Sequence, residues 1–249
     1  MGEEKRQSID DILLDWAFEP GEINVRLLNL PDRKVIQMRI DLGVLQLEVS
    51  GRPDGARPNG FPTYLEWLSH KARSAGDNFE LDSDMCLEVD REFQQYYHRR
   101  VSWLQLKQFE AAIRDADHTL QLMDLCKQFS PDEEWTISHE QFRPLVLYHR
   151  TKAEALRRLE EEDDREGAIE ALNRGLADLR AVFVEYEVED KFEEDELVTR
   201  LIEFREMIRS RYSLGKTLQE RLAEAIAAEE YELAAQLRDE LTQRHPPSA

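Results

Sequence analysis

Ile36-Gln37-Met38-Arg39-Ile40-Asp41-Leu42 alternates apolar and polar side chains at every step, the period-two pattern of a strand with one face toward a core. The same alternation runs through Ile23, Val25 and Leu27 before it and through Leu45, Leu47 and Val49 after it. Pro31-Asp32 and Gly43 interrupt the pattern at spacings short enough for hairpins, so residues 22–50 read as a three-stranded antiparallel meander with one buried face. A sheet this small needs a cover for that face. Residues 8–17, opening at Ser8 and carrying Ile9, Leu13 and Trp16, read as a short amphipathic helix that Pro20-Gly21 stops. A second helix begins near Pro62, with Tyr64, Trp67 and Leu68 on one face. These two helices are the expected cover.

Strand signals stop at Asp84. Gly and Pro thin out beyond it, and the apolar period becomes helical, predicting helices at about 88–107, 109–128, 138–160, 165–186, 192–212, 216–228 and 230–243. The chain is therefore α+β: an N-terminal α+β region over residues 1–80, a helical region over 84–212, and a helical hairpin over 216–244.

Composition narrows the function. Of 249 residues, 41% are hydrophobic and 35% charged, a globular balance with a heavily charged surface. Lys and Arg total 33 against 53 Asp and Glu, a formal net charge of -20. That field repels phosphate backbones, so direct nucleic-acid binding is not expected. The basic clusters Arg99-Arg100, Arg157-Arg158 and residues 205–211 are short and interleaved with helix formers, which predicts solvated helix faces. Two cysteines, Cys86 and Cys126, without a partner at metal-ligand spacing fit a reducing compartment. Residues 1–11 lack the apolar stretch of a signal peptide, and no run is long enough to cross a bilayer, so a cytoplasmic protein with no membrane contact is expected.

Catalytic signatures are missing. Among His70, His98, His118, His139, His149 and His245 no pair has the spacing of a helical zinc protease site, although His98 and His118 could meet across two helices. The acidic runs at residues 160–164 and 185–196 do not match a calcium loop and read as solvated faces. No Gly-x-Ser-x-Gly elbow occurs. Neither a catalytic site, a metal nor a cofactor is expected. The turn-rich loop Gly51-Arg52-Pro53-Asp54-Gly55-Ala56-Arg57-Pro58-Asn59-Gly60 lacks the Lys-Ser/Thr of a phosphate cradle, and its prolines remove backbone donors. With Arg52, Asp54, Arg57 and the nearby Trp67 it is a candidate contact for a small ligand or a partner.

Phe109-Glu110-Ala111-Ala112-Ile113 and Glu166-Gly167-Ala168-Ile169-Glu170-Ala171-Leu172 resemble the opening of the second helix of a tetratricopeptide unit, with Trp103 and Leu159 at equivalent distances before them. Ala112 and Ala168 are further apart than one repeat period, and residues 130–148 would be an insertion. An irregular helical bundle is the alternative.

The most specific signal is C-terminal. Leu218, Leu222 and Ile226 form one stripe, and Tyr231, Ala234, Leu237 and Leu241 a second, so residues 217–244 fold as a helical hairpin. Its run Glu229-Glu230-Tyr231-Glu232, Ala234-Ala235, Leu237-Arg238-Asp239 closely resembles the UVR motif, found in the B and C subunits of the bacterial excision nuclease, in some Clp ATPases and in activators of protein arginine kinases. The resemblance implies docking onto another helical hairpin, of a partner or of a second copy, through a face of Leu222, Ile226, Ala234, Ala235 and Leu237. Tyr231 is expected to fix the turn and Arg238 to set register by a charged hydrogen bond. The Walker loop, the nuclease carboxylates and the Cys-x-x-C pairs of those carriers are not in this chain, so their activities do not carry over. The expected function is a non-catalytic protein-interaction adaptor in DNA repair or protein quality control. The alternative is a regulatory subunit sensing a small molecule in its N-terminal α+β region, with an unrecognised hydrolase third.

Overall fold

The computed structural model of the protein describes residues 9–76 and 79–244, so Ser8, His245 and the charged N-terminal run before residue 9 lie outside the described residues. Contacts divide the chain into two compact units, one ending at Arg150 and the other beginning at Thr151.

In the first unit, helix α1 (Asp10–Asp15) precedes strands β1 (Asn24–Asn29), β2 (Lys34–Ile40) and β3 (Gly43–Glu48). They form one antiparallel sheet in the order β1-β2-β3. Its register sets Val25 opposite Met38 and Leu27 opposite Ile36, then Ile36 opposite Leu47 and Met38 opposite Leu45, so the apolar sets share a face. Gly43 opens β3 rather than separating it from β2. Asp41 and Leu42 make the connection, and Leu42, expected on the buried face, is 89% exposed.

The polar face is covered too, against the expectation of one buried face. Val35, Gln37 and Arg39 of the central strand are all buried. Arg39 Nε donates to the Trp16 carbonyl at 3.0 Å, and its guanidinium lies over Phe18, while Arg26 stacks over Trp16 at 4.3 Å. Arg26 also donates to Gln37 Oε1 at 2.7 Å, and Gln37 Nε2 to Gln46 Oε1 at 3.1 Å, a polar ladder across all three strands. Aromatic rings over arginines let a polar face be buried without an unpaired charge, which alternation alone does not reveal.

Helix α2 (Tyr64–Ala75) starts at Thr63, whose hydroxyl accepts from the Glu66 amide at 3.2 Å. It does not cover the sheet. Its Tyr64, Leu65, Leu68 and Ala72 pack against Met85, Cys86 and Val89 of α3 (Ser83–Gln105) and Leu122, Leu125 and Cys126 of α4 (Phe109–Phe129). Helix α3 takes the place against β2. The predicted helix over 138–160 is two, α5 (Glu133–Glu140) and α6 (Arg143–Leu156). Pro144 explains the break: its ring would clash with the Glu140 carbonyl in a continuous helix but is tolerated in the first turn of a new one.

The second unit holds the end of α6, a π-helical turn over Arg157–Glu161, α7 (Arg165–Glu185), a 3-10 segment over Glu189–Glu194, α8 (Glu196–Tyr212), α9 (Leu218–Ala227) and α10 (Tyr231–Arg244). Ala168, Ile169, Leu172, Leu179, Val198, Leu201 and Ile208 are buried there. A Cβ on Gly175 would sit 2.1 Å from Thr151 Oγ1, so the helices cross where only glycine fits. Ala112 and Ala168, the two alanines of the tetratricopeptide resemblance, are likewise buried.

Candidate functional site

Thr217 and Glu220 open α9 with a capping box: the Thr217 hydroxyl accepts from the Glu220 amide at 3.2 Å, and the Glu220 carboxylate accepts from the Thr217 amide at 2.8 Å. The other Glu220 oxygen accepts from Asn173 Nδ2 at 3.0 Å and from Arg209, and Arg205 donates to Asn173 Oδ1 at 2.8 Å. This ties the hairpin's first turn to α7 and α8. Burial works against the Glu220 charge, but the Thr217 amide, Arg209 and Asn173 together hold its pKa below the usual carboxylate value.

The turn between α9 and α10 is built from main chain. Glu229 sits at φ 60, the Glu230 amide donates to the Ala225 carbonyl at 2.8 Å, and the Glu229 amide donates to the Ile226 carbonyl at 3.1 Å. Those two bonds are the 6→1 and 5→2 pair of a Schellman ending, with glutamate in the left-handed position that usually holds glycine. The Tyr231 ring, expected to fix this turn, is 69% exposed instead.

Leu218, Ala225, Ala234 and Leu237 are buried between the two helices, with Leu222 and Leu241 partly buried against them. Ala235 is half-buried. The stripes read from the sequence thus meet each other first. Ile226 stays 56% exposed, and Leu233, which the periodicity did not single out because it lies off the stripe, is 38% exposed. Ile226, Tyr231 and Leu233 are thus exposed on either side of the α9–α10 turn, where Glu224, Glu229, Glu230 and Glu232 are exposed as well. A shallow depression of about 530 Å³ is bounded there by Tyr231, Leu233 and Gln236. Arg238 donates to its neighbour Asp239 at 2.8 Å, both exposed.

Residues 216–243 match the family model of the UvrB/uvrC motif. The match falls on the UVR hairpin and its capping box. No curated protein and no solved structure matches the chain.

The N-terminal candidates separate. Arg52 is buried, donating to Glu88 Oε2 at 2.8 Å with Glu92 and Asp54 beside its Nε, whereas Arg57 is exposed and reaches only the Gly60 carbonyl. Asp54 accepts from Gln95 Nε2 at 2.8 Å. Half-buried Trp67 bounds a shallow depression of about 440 Å³ with Tyr64, Lys71 and Glu88, which neither arginine lines. The loop is pinned from α3: Arg99 Nη1 donates to the carbonyls of Glu48 and Gly51, and its Nε and Nη2 grip Asp115 at 2.7 and 2.9 Å. Arg99 and Arg100, expected on a solvated face, are fully buried, because α4 supplies Asp115 and Thr119 opposite them.

Glu92, also buried, accepts from the Tyr64 and Leu65 amides at the start of α2 and lies 2.9 Å from His118 Nε2, and His118 stacks on Tyr96. His98 is half-buried, and burial lowers its pKa. Both thiols are buried, and burial first of all raises the Cys86 and Cys126 pKa values, disfavouring the nucleophilic thiolate. Among the described residues no three His, Cys, Asp or Glu side chains gather where they could hold a metal ion. No helix among them is long and apolar enough to cross a membrane.

Proposed function

We propose that the chain is a non-catalytic adaptor whose UVR hairpin docks a helical segment of a protein partner through the exposed Ile226, Tyr231 and Leu233. The observation that carries this reading is the division of the hairpin's apolar residues: one set closes the seam, and another stands in solvent at the matched motif. Exposed aromatic and branched aliphatic residues inside a polar rim are the composition of an interface anchor. The rim is acidic and the whole chain carries a net charge of -20, which favours a basic partner over a second copy. DNA repair and protein quality control, the processes of the motif's other carriers, are where that partner belongs.

Site-specific crosslinking tests the proposal. A photoreactive residue at Tyr231 of the full chain should capture a discrete protein in cells, and Ile226→Glu with Leu233→Glu should abolish the capture without moving the melting temperature. Capture no stronger than from a probe at exposed Leu87 would overturn it.

A further inference from the structure

A cavity of about 660 Å³ lies in the first unit, between α3, α4, α5 and the start of α6. Its size falls within the range of small-molecule sites, and its walls are mostly apolar: Phe93, Tyr97, Met123, Phe142, Leu145 and Val146. One charged side chain at its lining is different in kind. Arg100 is 2% exposed, and its bonds go to neutral groups, Nη1 to Thr119 Oγ1 at 2.8 Å and Nε to His149 Nδ1 at 3.3 Å.

The nearby carboxylates are committed elsewhere. Asp115 gives both oxygens to Arg99. Asp90, on the cavity rim, lies 2.8 Å from His139 Nε2 and accepts from Trp135 Nε1 at 3.2 Å. Asp117 is gripped by Arg150, and Asp124 and Glu140 by Arg143. Among the described residues, then, Arg100 has no carboxylate in ion-pair contact, and its Nη2 has no hydrogen-bond acceptor. Burial alone pulls its pKa down to about 10, although Asp115 and Tyr97 oppose the shift. Burying a guanidinium without a counter-charge is costly, and here the charge borders a space that a counter-ion can enter.

We propose that this cavity binds a small organic monoanion, an apolar body bearing one carboxylate or sulfonate group, with Arg100 as its counter-ion. The single guanidinium sets the charge. Nucleotides and other polyanions are disfavoured, because the acidic chain provides no second free cation in the lining to offset their extra charge: Arg91 is paired with Glu88. A planar fork with a free edge suits either oxyanion, and the apolar walls select a hydrocarbon body over a bare inorganic ion. This site is independent of the hairpin, and it places ligand sensing in the helical part of the first unit rather than in the loop holding Arg57.

Isothermal titration of the full chain with octanoate, octanesulfonate and the neutral octanamide tests the proposal. At least one of the two anions should bind at least tenfold more tightly than the amide, and the stronger of them identifies the oxyanion. Arg100→Met should weaken that anion at least tenfold while leaving the melting temperature of the ligand-free chain equal or higher, since it removes an uncompensated charge. Phe142→Ala, at a half-exposed wall position, should weaken binding several-fold and keeps the test open if the first variant does not fold. Equal binding of anion and amide, no binding of either anion at millimolar concentration, or undiminished binding by a folded Arg100→Met chain would overturn the assignment.

Discussion

Around Arg99 the chain joins a loop to two helices with buried charge, whereas around Leu237 it joins two helices with apolar side chains alone. In the first case Arg99 grips Asp115 and two loop carbonyls, and Arg52 and Glu92 extend the network toward α2. In the second, four small or aliphatic residues close the seam and charge appears only at the first turn. Charge is directional, so the first arrangement fixes the loop in one place. The apolar seam fixes little beyond contact, and the hairpin's tip is left available to something else.

The largest effect should come from removing one partner of the buried pair. Arg99→Met leaves the Asp115 carboxyl buried without its bidentate partner, costing about 3–5 kcal/mol; urea unfolding reads it directly, and a loss below about 1 kcal/mol would mean that the network is not what holds the loop. Leu237→Ala should cost about 2 kcal/mol, at the low end for a buried leucine because so small a seam can collapse. Hydrogen exchange should localise that loss to residues 218–241 and leave α3 and α4 protected; equal loss in both regions would break the comparison.

Acid should then separate the two regions more gently. The Glu220 pKa is depressed in the folded chain, so its contribution is complete above the unfolded value of about 4.3 and is lost as pH falls from there through the lower folded value. Amide exchange at α9 should quicken over that range, and Glu220→Gln should remove the pH dependence; an unchanged profile in the variant would assign the effect to another group. The smallest change expected is a gain. Glu229→Gly relieves the left-handed strain at the turn and should raise hairpin stability by up to about 1 kcal/mol, visible as slower exchange of the Glu230 amide.

Much of this was legible in the residues. The two stripes of the hairpin and the strand alternation are local patterns with local physical causes, and the hairpin and the three strands they predict are formed. Pro144 marks the split between α5 and α6, a signal that the single helix expected over 138–160 ran through. Leu233 was not legible: it lies off the apolar stripe, so no period distinguishes it from an ordinary surface residue. Arg99-Arg100 look like any basic pair on a charged helix, because the residues that bury them are brought in by α4 and α6.

The sequence by itself therefore determined most of the segments that are strand or helix, where several of the helices begin, and that the C-terminal hairpin carries the UvrB/uvrC motif. Only the tertiary structure decided which face of each element is spent on its own fold and which is left over. Periodicity gives a side chain's direction around its own axis, but its neighbour is set by contacts far apart in sequence. That is why the polar face of the sheet, the uncompensated Arg100 and the exposed tip at Ile226 and Tyr231 emerge only when the elements are brought together.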